Sequence, residues 1–211
     1  MSGVIDKHGL LAKLADSGPL VMELGCGSRK RNTAAIGIDA LDYPGVDLVG
    51  DVYDVLRKFP DGCVDQVYAY HFIEHVNDLN KLMSELSRVL KPNGLVEFIA
   101  PHFSNPYFYS DATHRSFFGL YTFCYLSVDS PFWRKVPTYK KDLFFKLERV
   151  DLRFKSARPF FIRYVLKSLI GKIFNSCNYM KEFYEENICY LFPCYEVGYR
   201  LRRVEVLAEQ V

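Results

Sequence analysis

Short apolar runs, each closed by a glycine, an acid or another turn-forming residue, recur through the first hundred residues of the chain. In order they are PLVMELG (19–25), AAIGIDA (34–40), VDLVGD (46–51), VDQVYAYH (64–71) and LVEFIAP (95–101). Runs of this length predict buried strands. Apolar strands with polar groups at their C-terminal ends are typical of parallel sheets, so we expect these five strands to be parallel.

The segment between the fourth and fifth runs has helical spacing instead. Its apolar positions are Leu79, Leu82, Met83, Leu86, Val89 and Leu90. This spacing predicts a helix over 77–90 with Asn77 or Asp78 as its N-cap, ended by the turn formers of 91–94. Strand, helix and strand in this order predict a right-handed crossover in an open α/β sheet. The ligand site of such a sheet lies at the C-terminal ends of the strands.

The pattern changes after Pro101, where aromatic residues and turn formers dominate up to about position 133. Beyond them, 145–154 and 195–206 alternate as strands, and Pro159 to Phe174 has helical spacing. We therefore predict a Rossmann-like open twisted sheet, mostly parallel with an antiparallel C-terminal strand. An aromatic-rich insertion is expected to cover its site.

Composition narrows the class of protein. Aromatic residues make up 16% of the chain and the formal net charge is +2, too small to favour a nucleic-acid partner. The six cysteines form no CxxC pair, so the sequence predicts neither a metal site nor a disulfide framework. No apolar run approaches the roughly 20 residues of a membrane span, and the N-terminus does not resemble a signal peptide. We expect a cytoplasmic protein.

The glycine turn ELGCG at 23–27 follows the first strand, where glycines let the backbone approach a ligand closely. Asp39 ends the second strand, and a carboxylate there can accept hydrogen bonds from a ribose diol. Asp51 ends the third strand and can accept one from an adenine amino group. The separation of Gly25 and Asp39 is shorter than the roughly 20 residues of the dinucleotide fingerprint, and its third glycine is missing. These acids indicate a nucleoside site and disfavour a nicotinamide enzyme.

The stretch from Val21 to Pro101 resembles the class I S-adenosylmethionine-dependent methyltransferases, in particular small bacterial ones of the type-11-like subfamily. The motifs that carry the resemblance are VMELGCGS, IGIDAL, DLVGDV, YHFIEHV and LKPNG. Two departures from the family pattern indicate a narrower subfamily. Only residues 28–35 are available where the family places a helix, and Arg29 stands in place of the third glycine.

The resemblance implies S-adenosylmethionine as methyl donor and S-adenosylhomocysteine as product. It places the methionine moiety at the glycine turn, the ribose at Asp39, the adenine at Asp51, and His71 in the pocket wall. The cofactor-binding residues expected are Glu23, Gly25, Cys26, Gly27, Asp39, Ala40, Asp51, Val52 and His71. Lys30 or Arg31 is a candidate partner for the cofactor carboxylate. We expect a single domain over 1–211, with a cofactor-binding half (1–101) and an acceptor-side insertion with C-terminal strands (102–211).

Methyl transfer to a hydroxyl requires that a proton leave, and histidine is the usual base. His102 directly follows the fifth strand, where acceptors enter this fold. Asp111 and His114 are three residues apart and form an oriented acid/base couple if the loop turns helically. The predicted catalytic residues are therefore His102, His114 and Asp111. Tyr107 and Tyr109 are expected to contact the acceptor.

The preferred acceptor is a sugar hydroxyl of a bacterial surface polysaccharide or its precursor. The alternatives are a small metabolite, a lipid-linked acceptor, or a catalytically silent cofactor-binding domain. Phe160 to Phe174 is apolar and basic, which favours a core-packing helix over peripheral membrane contact. No nucleic-acid partner is expected.

Overall fold

A computed structural model describes residues 3–16, 18–137, 145–156 and 159–205 of the chain. Its strands are β1 (Ile5–Asp6), β2 (Val21–Leu24), β3 (Ile36–Asp39), β4 (Leu48–Val49), β5 (Val64–Tyr70), β6 (Leu90–Pro101), β7 (Phe145–Arg153) and β8 (Glu196–Arg203). Its α-helices are α1 (Val52–Leu56), α2 (Leu79–Val89), α3 (Phe161–Phe174) and α4 (Asn178–Asn187). Short 3-10 helices cover Leu11–Asp16, Ile73–His75, Pro106–Ser110 and Thr122–Leu126.

All eight strands form one sheet in the order β1-β4-β3-β2-β5-β6-β8-β7. The central strands β4, β3, β2, β5 and β6 run parallel. The C-terminal strand β8 pairs antiparallel with β6 and with β7, and β1 pairs antiparallel with β4. The predicted open, mostly parallel sheet with an antiparallel C-terminal strand is therefore confirmed. Position 206, the end of the last predicted strand, lies outside the described residues.

The helix predicted over 77–90 is α2. Asp78 is its N-cap and accepts a hydrogen bond from Lys81 N at 2.9 Å. Its apolar face is fully buried against the sheet, and each such side chain stabilises the fold by about 2 kcal/mol. The turn formers at 91–94 belong to β6, with Asn93 at a φ of 64°.

The helix α4 was not predicted, and it holds the aromatic insertion in place. The Glu182 carboxylate accepts hydrogen bonds from Tyr121 Oη, Trp133 N and Arg134 N at 2.9, 3.1 and 2.9 Å. Glu185 accepts one from Leu120 N at 2.8 Å. Glu182 and Glu185 thus connect the insertion to helix α4, which lies in the C-terminal part of the chain.

The expectation that α3 packs into the core is wrong. Phe161 and Ile162 are 74% and 77% exposed, and only Lys167 and Phe174 are buried in this helix. No helix in the described residues is long and apolar enough to cross a membrane. All six cysteines are free thiols.

Candidate active site

A pocket of about 210 Å³ opens at the C-terminal ends of β2, β3 and β4. Its lining residues are Gly25, Ile38, Asp39, Ala40, Gly50, Asp51, Val52, Tyr53, Phe72, His75, Val76 and Asn77. The switch in strand order beside β2 is where ligands bind in open α/β sheets. Five of the nine predicted cofactor residues thus meet in one pocket: Gly25, Asp39, Ala40, Asp51 and Val52.

The glycine turn needs its glycines. Gly25 and Gly27 have φ values of 62° and 59°, a left-handed backbone that favours glycine. A Cβ at Gly25 would lie 2.4 Å from Cδ2 of Phe72, because that ring packs directly on the turn. A Cβ at Gly27 would meet nothing within 4 Å. The floor of the pocket is therefore a close contact between Gly25 and Phe72.

The two predicted acids also hold the local backbone. Asp39 Oδ2 accepts a hydrogen bond from Gly27 N at 2.8 Å, and Oδ1 accepts one from Leu41 N at 2.9 Å. Asp51 is the N-cap of α1 and accepts one from Tyr53 N at 2.9 Å. A carboxylate has about four lone-pair sites, so both acids keep capacity for ligand donors. A ribose diol and an adenine amino group are donors of this kind.

Glu23 lies beneath the turn rather than in the pocket lining. It is 2% exposed, and its carboxylate accepts hydrogen bonds from Arg31 N and Asn32 N at 3.0 and 2.9 Å. The link from β2 to β3 is short and contains no helix, which agrees with the first of the two predicted forms, a short turn or a single helical turn, and these bonds hold it in place. Glu23 thus braces the link that follows the turn.

Cys26, Gly27 and His71 also lie outside the pocket lining. Burial raises the pKa of the Cys26 thiol to about 12, so the thiol is neutral. His71 has a φ of 54°, and its Nε2 lies 3.1 Å from Glu196 Oε1. The carboxylates of Glu196 and Glu74 raise the pKa of His71 to about 9.

The basic residues of the link already have partners. Lys30 Nζ lies 2.7 Å from Asp47 Oδ2 and 2.9 Å from Ala35 O. The Arg31 guanidinium lies over the Tyr70 ring, 4.3 Å from its centroid. Of the two, Arg31 is the one without a carboxylate partner among the described residues.

The pocket wall contains residues that sequence reasoning missed. They are Ile38, Gly50, Tyr53, Phe72, His75, Val76 and Asn77. Four of these lie within or directly after the YHFIEHV motif, which follows β5. That motif was the available signal, but its resemblance pointed to His71 rather than to the residues after it.

A chain of ring contacts connects the pocket to the aromatic insertion. His75 lines the pocket, and its ring centroid lies 4.9 Å from that of His114. The His114 ring packs against Phe108 at 4.6 Å, and Phe108 against Phe117 at 4.9 Å. Arg115 N donates to the Glu74 carbonyl at 2.8 Å. The insertion is therefore fixed against the 73–75 turn beside the pocket.

Asp111 and His114 are close together, as the sequence predicted, although they share a turn rather than a helix. His114 Nε2 lies 3.6 Å from Asp111 Oδ2, and His114 Nδ1 lies 2.8 Å from the Phe108 carbonyl oxygen. Hydrogen bonds from Thr113 lower the pKa of the exposed Asp111 carboxyl. The His114 side chain is 9% exposed.

His102 does not lie at the acceptor entrance, which corrects the sequence prediction. Its side chain has no exposed surface, Nδ1 lies 2.8 Å from Ser104 Oγ, and Nε2 lies 3.1 Å from Glu185 Oε2. A base must come within hydrogen-bond reach of the proton that it removes. With both nitrogens engaged inside the protein, His102 connects β6 to α4.

The two predicted acceptor tyrosines are on the surface of the insertion. Tyr107 is 52% exposed and packs edge-on against Tyr195, with centroids 6.2 Å apart. Tyr109 is 61% exposed and donates a hydrogen bond to the Phe103 carbonyl at 2.9 Å. Both rings are thus accessible, and Tyr109 packs against Phe108, which contacts His114.

The comparisons with known proteins concern the same part of the chain. Residues 22–98 match the family model described as a methyltransferase domain. This range covers β2 to β6 up to Phe98, and therefore every residue of the pocket lining. A search of curated proteins finds no match.

Solved structures share the fold at low identity. A SAM-dependent methyltransferase from Archaeoglobus fulgidus is 17% identical, with a TM-score of 0.52, over 92% of this chain and 93% of that one. A Haloferax volcanii methyltransferase, solved with the Trm112 methyltransferase activator, is 17% identical with a TM-score of 0.51 over 95% and 92%. Phosphoethanolamine N-methyltransferase 2 of Haemonchus contortus, solved with S-adenosyl-L-methionine, is 14% identical with a TM-score of 0.52 over 94% and 53%. The chain therefore contains a methyltransferase domain over residues 22–98, and its fold is the one found in SAM-dependent methyltransferases.

Proposed function

We propose that this enzyme transfers the methyl group of S-adenosylmethionine to a hydroxyl of a carbohydrate acceptor. The observation that supports this proposal is the series of ring contacts from His75 in the pocket, through His114, to the aromatic insertion. In this proposal residues 1–101 hold the cofactor and 102–211 supply the acceptor side of a single domain. The preferred acceptor class is a sugar of a bacterial surface polysaccharide or its precursor.

The cofactor is proposed to lie along the pocket with its ribose at Asp39 and its adenine at Asp51. Both carboxylates line the pocket and retain lone pairs for the diol and the amino group. Gly25 and Gly27 supply the close backbone surface for the methionine moiety. The bound cofactor supplies an activated methyl group on a sulfonium.

The acceptor is proposed to lie between His114 and the exposed faces of Tyr107 and Tyr109. An aromatic side chain offers a broad apolar face and, in tyrosine, a polar edge. That combination suits a sugar ring, which has apolar faces and polar edges. Phe117, 60% exposed and packed on Phe108, extends the same surface.

The chemistry is an in-line displacement, so most of its acceleration comes from holding the nucleophile against the methyl group. The acceptor oxygen forms a bond to the methyl carbon, the carbon–sulfur bond breaks, and its electron pair stays on sulfur. The hydroxyl proton passes to the Asp111–His114 pair. His114 Nδ1 bonds to a carbonyl oxygen and must carry its proton in the neutral ring, which leaves Nε2 as the acceptor.

The cofactor part of the proposal is tested by titrating S-adenosylmethionine into Asp39→Ala and into Asp42→Ala. Asp42 is the matched control because its side chain is 64% exposed and lies outside the pocket lining. We expect Asp39→Ala to lose measurable binding and Asp42→Ala to bind as the wild type does. An Asp39→Ala protein with unchanged affinity overturns the proposed pose.

The acceptor part is tested by methyl transfer to a panel of sugars, nucleotide sugars and amines. We expect transfer to hydroxyls, with His114→Ala reducing the rate by roughly 10²-fold or more, as is usual for loss of a general base. S-adenosylmethionine affinity is the folding control, because His114 does not line the pocket. Transfer to amines alone, with every sugar inert, overturns the proposal.

A second candidate is an acceptor carried on a lipid. The observation that favours it is the exposed apolar face of α3, where Leu166, Leu169 and Ile173 are 53–55% exposed. Leu166 of this face lines a groove of about 810 Å³ together with Ile162, Leu191 and Phe192. Every charged residue in α3 is a cation, a composition that favours binding to anionic membranes.

Flotation with phosphatidylglycerol vesicles at low salt tests this candidate. We expect the wild type to float and Ile162→Glu to remain in the dense fraction. Val128→Glu is the matched control, since Val128 is 55% exposed but lies far along the chain from α3. Absence of wild-type binding removes the lipid-linked acceptor.

A further inference from the structure

Three potential metal ligands from distant parts of the sequence meet beside the cofactor pocket. Glu74, His75 and His114 each offer one ligand atom, and these atoms all lie within 4.8 Å of one another. Glu74 and His75 end the short turn after β5, whereas His114 comes from the insertion about 40 residues later. The insertion therefore completes a two-histidine, one-carboxylate cluster.

The Glu74 carboxylate lacks the hydrogen bonds that a buried charge normally has. The residue is 1% exposed, and neither carboxylate oxygen has a hydrogen-bond partner among the described residues. It has one ionic contact, with His71, whose Nδ1 lies 3.5 Å from Oε1 and whose pKa this carboxylate helps to raise. Buried charges are normally paired and hydrogen-bonded or bound to a metal. This carboxylate points into the cluster with free coordination capacity.

Both histidines are oriented as metal ligands usually are, by a hydrogen bond at the other ring nitrogen. His114 Nδ1 bonds to the Phe108 carbonyl oxygen at 2.8 Å. His75 Nδ1 lies 2.9 Å from Thr113 Oγ1, and that hydroxyl donates to Asp111 Oδ1. Because the hydroxyl proton goes to Asp111, His75 must donate from Nδ1. Each ring then has its lone pair on Nε2.

We propose that Glu74, His75 and His114 bind a divalent transition-metal ion. Two imidazole nitrogens and one carboxylate oxygen suit Zn²⁺, Mn²⁺, Fe²⁺ or Co²⁺ better than Mg²⁺ or Ca²⁺, which prefer all-oxygen sites. Ligands about 2.1 Å from a tetrahedral metal lie about 3.4 Å apart, so the side chains must close by up to roughly 1.4 Å.

The site has an open side toward the reaction. Three protein ligands leave at least one coordination position free, which is the arrangement of catalytic rather than structural metal sites. His75 also lines the cofactor pocket, so the cluster adjoins that pocket. This role rests on the proposed hydroxyl acceptor. With an ion bound, His114 Nε2 would be a ligand and could not take the proton; the ion would lower the pKa of the hydroxyl, and Asp111, which is not a ligand, would receive its proton.

The test is metal binding by tag-free, chelator-stripped protein, without any acceptor. Co²⁺ is followed by its visible absorption and Zn²⁺ by calorimetry. We expect one ion per chain in the wild type, and affinity at least about tenfold lower in His114→Ala and in Glu74→Gln. His8→Ala is the matched control, because its ring is 59% exposed and remote from the cluster.

Each variant is also titrated with S-adenosylmethionine to show that it is folded. A wild type that binds neither ion, or a His114→Ala protein that binds as tightly as the wild type, overturns the metal site. Failure of the proposed acceptor is distinguishable, because it leaves metal binding intact while no hydroxyl is methylated. Metal binding that vanishes in both ligand variants but not in His8→Ala supports the site.

Discussion

The contact between Gly25 and Phe72 makes a quantitative prediction, because Gly27 provides a matched control two residues away. Both glycines have nearly the same left-handed backbone. Only Gly25 has a neighbour where a Cβ would be placed. Substituting each by alanine therefore separates the cost of the backbone conformation from the cost of the contact.

The left-handed conformation costs alanine about 1–2 kcal/mol, offset by roughly 0.4–1 kcal/mol from the stiffer unfolded chain. We therefore expect Gly27→Ala to lower the free energy of unfolding by about 1 kcal/mol. At Gly25 the new Cβ would lie 2.7 Å from Phe72 Cβ as well as 2.4 Å from Cδ2. Rotation of the ring cannot relieve a clash with Cβ, so the backbone must move, at about 1–3 kcal/mol more. The total for Gly25→Ala is about 3 kcal/mol.

Urea unfolding followed by circular dichroism measures both values, given a two-state transition. S-adenosylmethionine titration adds a second readout, since Gly25 and Phe72 line the pocket. We expect Gly25→Ala to weaken binding by at least about tenfold, which is 1.4 kcal/mol. Equal destabilisation by the two substitutions, within about 0.5 kcal/mol, would refute the close packing of Phe72 on the turn.

Three further predictions concern parts of the molecule away from the pocket. Glu182→Ala removes the acceptor of three hydrogen bonds, so unfolding free energy should fall by about 2–4 kcal/mol; a loss under about 0.5 kcal/mol in urea unfolding would contradict the anchoring role. Cys177 is exposed, whereas Cys26 is buried with a pKa of about 12. Cys177→Ser should therefore abolish the fastest phase of reaction with a thiol reagent. Persistence of that phase would be inconsistent with the exposure of Cys177. Burial alone would raise the pKa of Glu196, but hydrogen bonds from His71 and Lys155 lower it from 4.5 to about 2. The contribution of Glu196 to the free energy of unfolding is therefore present above pH 4.5 and lost as pH falls toward 2. Over that range the free energy of unfolding of Glu196→Gln should fall less steeply with pH than that of the wild type. An equal pH dependence in the two proteins would count against this ion pair.

The cofactor half of the fold was predictable because local pattern and tertiary role agree there. The apolar positions of α2 follow helical spacing, and the same residues are buried against the sheet. Asp39 and Asp51 were found because parallel strands place their C-terminal ends at one edge. The absence of a helix between β2 and β3 followed from the number of residues available.

The C-terminal half was less predictable because its side chains do not follow the same rule. The segment 161–174 has the apolar content of a core helix, yet Phe161 and Ile162 face outward. Nothing local distinguishes an apolar helix that packs inside from one that remains exposed. Helix α4 has a mixed polar sequence, and its role depends on Glu182 and Glu185 meeting backbone groups more than 45 residues away.

The candidate metal cluster could not be recognised from spacing. Metal motifs are found in sequences when their ligands lie within one or two turns or loops, as in paired cysteines. Here His114 is brought to Glu74 and His75 by the folding of the insertion. The prediction about His102 failed for a related reason, since position after a strand does not decide whether a ring faces the pocket or the interior.

The bracing of the glycine turn by Glu23 has a consequence for turnover. If a helix followed the glycine turn, its N-terminal backbone N–H groups would direct positive potential toward the ligand. Here the Glu23 carboxylate instead accepts hydrogen bonds from the backbone N–H groups of Arg31 and Asn32. Asp39 and Asp51 add two carboxylates in the pocket lining itself. S-adenosylmethionine carries one more positive charge than S-adenosylhomocysteine, so the site should release its product more readily than its substrate. Product inhibition should accordingly be weak, and the preference for the substrate should decline with rising ionic strength.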